Sequence, residues 1–371
     1  MGGGAPGAER GTASVRRSAR RVTRSVGDST YSGPDRYAWL VRRLPIRSAG
    51  LVAASLLLAA CSSGGQPSTA PTATAVPSGA AGCPTAPAPS GVPDGWGLPT
   101  SPPQVVPVLI AQPGELICGP NRVLFSFVDA SGRPLGSPDR SASLAVYDLA
   151  RDPAAPVATA DGTFVWAIED QRGVYVANVT FPEAGEYGAE FRTSDAGGQP
   201  QTIRMTFDVQ PTNGVAKVGQ PAPASKTPTL ADVGGDPTKV STDTSPDPAL
   251  YQTSVDQALS AHKPFLLVFA TPKFCTSGQC GPTLDRIKPY VAKYPSVTFI
   301  NVEPYKLKLE GGSLTADLDA QGQLQPTDAT IQWGLLSEPW AFVVDRSGII
   351  RGSFELIFSD AELTAALEAV K

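Results

Sequence analysis

Two cysteines with four residues between them stand in the stretch FATPKFCTSGQCGP, residues 269–282. Cys275 and Cys280 could act as a redox couple, hold a soft metal ion, or form a structural bridge. Redox chemistry needs a thiolate, because the thiolate and not the thiol attacks a disulfide. A helix N-terminus supplies unpaired amide N–H groups and a positive dipole end that favour it, and Lys273 adds a nearby positive charge. A second thiol within reach then releases the mixed disulfide. Metal binding needs a third soft ligand. The chain's one histidine, His262, lies before the preceding apolar strand, so copper handling is the weaker reading and no metal site is assigned. A purely structural bridge closes so short a loop that chain entropy gives it little stabilising power. A single histidine also leaves almost no general-base repertoire for hydrolytic chemistry.

The compartment decides between these readings. The segment VRRLPIRSAGLVAASLLLAAC, residues 41–61, runs from basic residues through an apolar stretch to small residues, the order of an export signal. The apolar run is shorter than the roughly 20 residues of a spanning helix. Its end, LAAC, resembles the lipobox of bacterial lipoprotein signal peptides, and the resemblance implies cleavage before Cys61 with lipid on that residue. Residues 1–60 hold 10 of the 30 Lys and Arg and 3 of the 34 Asp and Glu, which leaves 20 basic against 31 acidic groups, a net −11, in the rest. Such a body repels nucleic acid, and nucleic-acid binding is excluded. The expected location is the extracytoplasmic face of a cell membrane, held by the lipid anchor, where disulfides persist.

The elements that must position the cysteines follow from composition and periodicity. Residues 1–60 are the signal and an N-terminal extension. Residues 61–103 are rich in Pro, Ala, Ser and Thr and read as a disordered tether. Residues 104–210 show six or seven short alternating strands punctuated by Gly, Pro and Asp, which predicts an all-β sandwich of immunoglobulin-like type, with Trp166 and Phe164 in its core and Tyr187 at a strand-entry corner. Residues 211–248 read as a second linker that lets the last region swing. In residues 249–371 strand and helix patterns alternate: a helical ALYQTSVDQALSAH, a buried strand PFLLVFAT, a helix TLDRIKPYVAKY, a strand VTFINVE, an irregular insertion at 304–327, a short helix DATIQWGL, a hairpin of WAFVVD and GIIRGSFE, and a last helix capped by Ser359 with Glu362 three residues on.

This last third resembles the thioredoxin-like superfamily. LLVFATPKFC supplies the strand and loop before the cysteine motif, and SEPWAFVVDRSG supplies Pro339 where that family carries its cis-proline. The resemblance implies an α/β thioredoxin-like domain, with Cys275 as attacking residue, Cys280 as resolving residue, and Glu338 and Pro339 presenting backbone groups to an extended substrate. It implies no cofactor beyond a redox-active Cys275–Cys280 disulfide, exported thiol or disulfide proteins as partners, and a membrane electron donor as a further candidate partner. The sequence departs from the family in carrying four residues between the cysteines instead of two, in Phe274 before the first, and in Glu338, whose charge raises a neighbouring thiol pKa. The expected function is therefore that of a thiol–disulfide oxidoreductase; the rival is a non-catalytic binding lipoprotein. Cys83 and Cys118 are open: either they pair and staple the tether, or Cys118 is buried alone.

Overall fold

A computed structural model describes residues 83–101 and 103–371. The expected signal, the lipidated Cys61 and the first part of the tether lie outside them.

Eight strands build the first half: β1 (Val105–Ile110), β2 (Gly119–Asp129), β3 (Ser141–Asp148), β4 (Ala158–Asp161), β5 (Thr163–Ile168), β6 (Arg172–Phe181), β7 (Gly185–Ser194) and β8 (Gln201–Val209). They form two four-stranded antiparallel sheets, β1-β2-β6-β5 and β4-β3-β7-β8. Residues two apart point to the same face of a strand. Val123, Phe125 and Phe127 of β2 and Tyr175, Ala177, Val179 and Phe181 of β6 accordingly meet Leu144, Val146, Tyr187, Ala189 and Phe191 from the other sheet in one core. The Tyr187 hydroxyl donates to the Glu183 carbonyl at 3.0 Å and so satisfies its one buried polar atom. Phe164 and Trp166, expected in the core, are only half-buried. They meet edge to face on strand β5, where Phe164 packs against the margin of the sandwich core beside Tyr175, while Val165 and Ala167 are buried on the opposite, outer face.

Both outer faces of the sandwich are covered. On one, Trp96 lies over Gly188, where a Cβ would sit 2.2 Å from the indole ring, so only glycine fits there. Trp96 packs with Ala145, Tyr147 and Leu149, donates its indole N–H to the Pro153 carbonyl, and carries the Arg204 guanidinium over its ring. The Cys83–Cys118 disulfide closes this strap. The part of the tether from Cys83 onward is thus folded onto the sheet, because one tryptophan and one disulfide outweigh the extended preference of its prolines.

The second half carries β9 (Phe265–Phe269), β10 (Thr298–Val302), β13 (Trp340–Val344) and β14 (Ile350–Glu355) in a sheet of order β10-β9-β13-β14, with a separate hairpin of β11 (Leu307–Glu310) and β12 (Ser313–Ala316) inside the insertion. Only β10 on β9 is parallel. The helices are α1 (Val255–Ser260), α2 (Cys280–Lys293), α3 (Asp328–Gln332) and α4 (Asp360–Glu368). Leu266 and Val268 pack toward α2 and α4, while Phe265, Leu267 and Phe269 pack toward α1, α3 and Trp333.

Two expectations are corrected. The regular structure of the described residues is mostly strand, in several sheets that are chiefly antiparallel, and three of the four helices are shorter than ten residues. They do not amount to the helical α/β thioredoxin-like domain expected. The helical spacing of residues 249–262 overstated its element: Pro248–Tyr251 form a 3-10 turn capped by Asp247, and the α-helix starts only after the Ser254 cap. Nor does residues 211–248 leave the last region free to swing. Val215, Ser225, Thr227, Thr229, Val240 and Ser241 are buried, and the Ala216 N–H donates to the Trp333 carbonyl. Gly334, at φ +66°, passes so close to Gly214 that a Cβ would overlap its carbonyl oxygen. Small and polar residues here allow close approach and backbone pairing, so low hydrophobicity did not mean freedom.

The two halves also touch directly. Leu124, Val165, Ala167, Val174 and Val176, on the outer face of the first sheet, bury Leu356 and Ile357. That second covered face explains why RVLFSFV and GVYVANV are almost continuously apolar instead of alternating. The Arg122 guanidinium donates to Glu362 and to the Ile357 carbonyl, and Arg286 donates to the Phe358 and Trp166 carbonyls.

Candidate functional site

Strand β9 ends at Phe269, and a turn through Thr271–Phe274 delivers Cys275 to the mouth of α2. Gly278, at φ +72°, takes the left-handed conformation that reverses the loop. Cys280 is the first residue of α2 and is fully buried among Val240, Leu250, Tyr251 and Leu284, whereas Cys275 is half-buried. The two are joined in a disulfide with a Cα–Cα distance of 6.0 Å.

A set of hydrogen bonds organises the loop around Cys275. The Cys280 backbone N–H donates to Cys275 Sγ at 3.2 Å. The Ser277 Oγ lies 3.3 Å from the same sulfur and donates to the Glu338 carbonyl at 2.9 Å. Thr276 donates both its N–H and its hydroxyl to Glu338 Oε1, at 2.9 and 2.8 Å, and the Tyr305 hydroxyl donates to Glu338 Oε2 at 2.6 Å. Burial, then the neighbouring Glu338 carboxylate, push the Tyr305 phenol well above its ordinary range. Glu338 is itself buried at 4% exposure and is followed by Pro339 across a cis peptide bond. The Pro339 carbonyl accepts the Leu356 N–H at 2.9 Å, which fixes the end of β14 beside the site.

The structure thus brings Cys275, Cys280, Glu338 and Pro339 together. It places Lys273 elsewhere: its ammonium donates to the Leu314 carbonyl of β12 at 2.7 Å. His262 is exposed in the turn after α1. Among the described residues, no group of three or more His, Cys, Asp or Glu is placed to hold a metal. Thr276, Ser277 and Tyr305 were not singled out from sequence. The two hydroxyl residues between the cysteines were the readable signal; Tyr305 stands in the insertion, whose path no periodicity revealed.

A second buried carboxyl, Glu303 at the end of β10, lies beneath the turn. It accepts from the N–H and hydroxyl of Thr242 at 2.6 and 2.8 Å, and burial raises its pKa above the ordinary carboxyl value. Thr242 also accepts the Lys273 N–H, so residues 240–243 clamp the approach to Cys275.

No family model matches the chain, and no curated protein matches it. Among solved structures, a DUF4426 family protein from Pseudomonas aeruginosa PAO1 is similar at 12% identity and TM-score 0.19, covering 26% of this chain and 77% of its own. CopC from Methylosinus trichosporium OB3b is similar at 15% identity and TM-score 0.18, covering 28% and 94%. The Lin-41 filamin domain is similar at 15% identity and TM-score 0.19, covering 29% and 93%. No thioredoxin-like protein is among these, and the described residues are mostly β, so the resemblance to that superfamily is withdrawn. A buried strand, a cysteine pair and an X-Pro before a hairpin are local features, each compatible with more than one fold.

Proposed function

We propose that this chain is a lipid-anchored, extracytoplasmic enzyme that exchanges disulfides with exported proteins. The observation that carries the reading is the Cys280 N–H donated to Cys275 Sγ, with the Ser277 hydroxyl oxygen 3.3 Å from the same sulfur. Hydrogen bonds to a charged form favour that form, so this N–H would stabilise a Cys275 thiolate once the bridge is open, joined by Ser277 if its hydroxyl turns from the Glu338 carbonyl. In the reducing direction, the Cys275 thiolate attacks one sulfur of the partner's disulfide, that S–S bond breaks, and the other partner sulfur leaves as a thiolate. Cys280 then loses its proton and attacks Cys275 Sγ, the mixed disulfide breaks, and the partner leaves as a dithiol carrying the two electrons. A membrane dithiol donor restores the pair, and the same steps reversed oxidise a partner.

Anchoring rests on the LAAC segment, in which Cys61 takes the lipid. Among the described residues no helix is long and apolar enough to cross a membrane. The sandwich, read as immunoglobulin-like, would hold the cysteine region away from the surface. The test is a Cys280→Ser variant, expected to trap partners as mixed disulfides on Cys275. If nothing is captured and Cys275→Ser keeps full disulfide-reductase activity, the reading fails.

The burial of Cys280 also fits a permanent bridge in a non-catalytic binding lipoprotein. A Cys275–Cys280 potential below about −300 mV, in the range of structural disulfides, favours that second reading.

A further inference from the structure

Strand β14 is the last strand of its sheet and pairs only with β13. The start of its outer edge is occupied: Gly219 donates to the Ile350 carbonyl, and Ile350 donates to the Gln220 carbonyl. Beyond Ile350 and outside the ladder to β13, the one backbone hydrogen bond among the described residues to Arg351–Glu355 is the local turn in which the Ile357 N–H donates to the Glu355 carbonyl, so the outward groups of Arg351 and Ser353 are open. In an antiparallel ladder half of such a strand's N–H and C=O groups point away from the partner.

That edge faces a cleft of about 1010 Å³ between the two halves of the molecule. All five residues Arg351, Gly352, Ser353, Phe354 and Glu355 line it. Successive side chains of a strand point to opposite faces, so five in a row can border one cleft only if it runs along the strand's edge. Small side chains of α4, Ala365 and Ala369, form one wall without blocking the edge, and the start of β2 and end of β6 form the other. The cleft also holds two carboxylates, Glu115 and Glu355, with no cationic partner among the described residues. Glu355 is 7% exposed and takes only the Ser337 hydroxyl, and Glu115 takes only the Gln112 N–H. Of the cations lining the cleft, Arg122 is already paired with Glu362 and Arg351 with Asp345, and Lys217 donates to the Thr212 hydroxyl at 2.9 Å.

We infer that this cleft binds an extended polypeptide segment carrying a basic side chain, added as a further strand to the edge of β14. Main-chain hydrogen bonds to Arg351–Glu355 supply affinity, as in other strand additions, and the unpaired Glu355 carboxylate selects the basic residue. The site does not depend on thiol exchange, so it stands or falls separately from that function.

The probe is the capped peptide Thr-Val-Thr-Lys-Thr-Val-Thr, which has no cysteine, titrated into the protein and followed by calorimetry. Binding is expected, and equal strength is expected with Cys275 and Cys280 both replaced by serine. Exchanging the peptide lysine for glutamate, or N-methylating alternate peptide amides, is expected to weaken binding by about tenfold or more, the loss of one charged or a few neutral hydrogen bonds. Ala365→Trp fills the cleft from an exposed helix position and is expected to do the same, as is Glu355→Gln. No binding at roughly 1 mM peptide, a glutamate or N-methylated peptide that binds as well as the parent, or unchanged binding to Ala365→Trp overturns the inference.

Discussion

The two disulfides of this molecule are alike in their Cα separations, 6.1 and 6.0 Å, and opposite in what surrounds them. Cys83–Cys118 spans 35 residues and ties a strap across the sandwich; Cys275–Cys280 spans 5 and ties almost nothing that its neighbours do not already hold. On loop length alone the first restricts the unfolded chain by about 4 kcal/mol and the second by about 2. The polar surroundings run the other way. The sulfur of Cys118 lies 3.6 Å from the Pro182 carbonyl, an acceptor, whereas the sulfur of Cys275 accepts the Cys280 N–H. An acceptor beside a sulfur disfavours the thiolate and donors favour it. Under the proposed function, the longer bridge holds and the shorter one reacts.

The contrast breaks most visibly in activity. Cys275→Ser is expected to abolish turnover in an insulin-reduction assay, at least about a hundredfold below wild type, while Cys83→Ser with Cys118→Ser keeps it within a few-fold. Equal losses would mean that the two bridges do not divide the work in this way. In stability the ranking reverses. Removing Cys83 and Cys118 together is expected to cost about 4 kcal/mol in urea unfolding, and removing Cys275 and Cys280 about 2.

The sequence made the cysteine region legible because its signals are local. A continuous apolar run gave β9, the Ser359–Glu362 spacing gave the α4 cap, which forms with both reciprocal hydrogen bonds, and Cys275, Cys280, Glu338 and Pro339 do converge. The strap and the residues after 210 were illegible for the opposite reason. Trp96 finds Gly188 and Gly214 finds Gly334 only in three dimensions, and a Pro-rich composition carries no mark of such pairings. The family reading failed because short motifs report local geometry and say little about the helices around them.

Two smaller effects sharpen the comparison. Glu115 sits three residues before Cys118, and burial pushes its carboxyl up to about 7. A raised carboxyl pKa means that the folded state binds the proton more tightly than the unfolded chain does. Stability is therefore full below about pH 4.5, the unfolded value, and falls as pH rises toward 7. Glu115→Gln should remove that decline, gaining on the order of 3 kcal/mol over wild type at pH 8 and nothing at pH 4, measured by urea unfolding at both values. An equal gain at both pH values would assign the effect to packing. Beside the shorter bridge, Tyr305→Phe removes one hydrogen bond from Glu338 and is expected to cost about 1 kcal/mol of stability. Its reductase rate should fall only several-fold, since Thr276 still holds the other carboxylate oxygen.

The interlock of Leu356, Ile357 and Arg286 with the outer face of the sandwich bears on how the protein can be handled at the bench. A fragment begun near residue 249 to isolate the cysteine pair would lay bare an oily ridge and strand a guanidinium group, inviting precipitation. Tags and truncation points belong before Cys83, and whatever approaches Cys275 meets it with the sandwich already alongside.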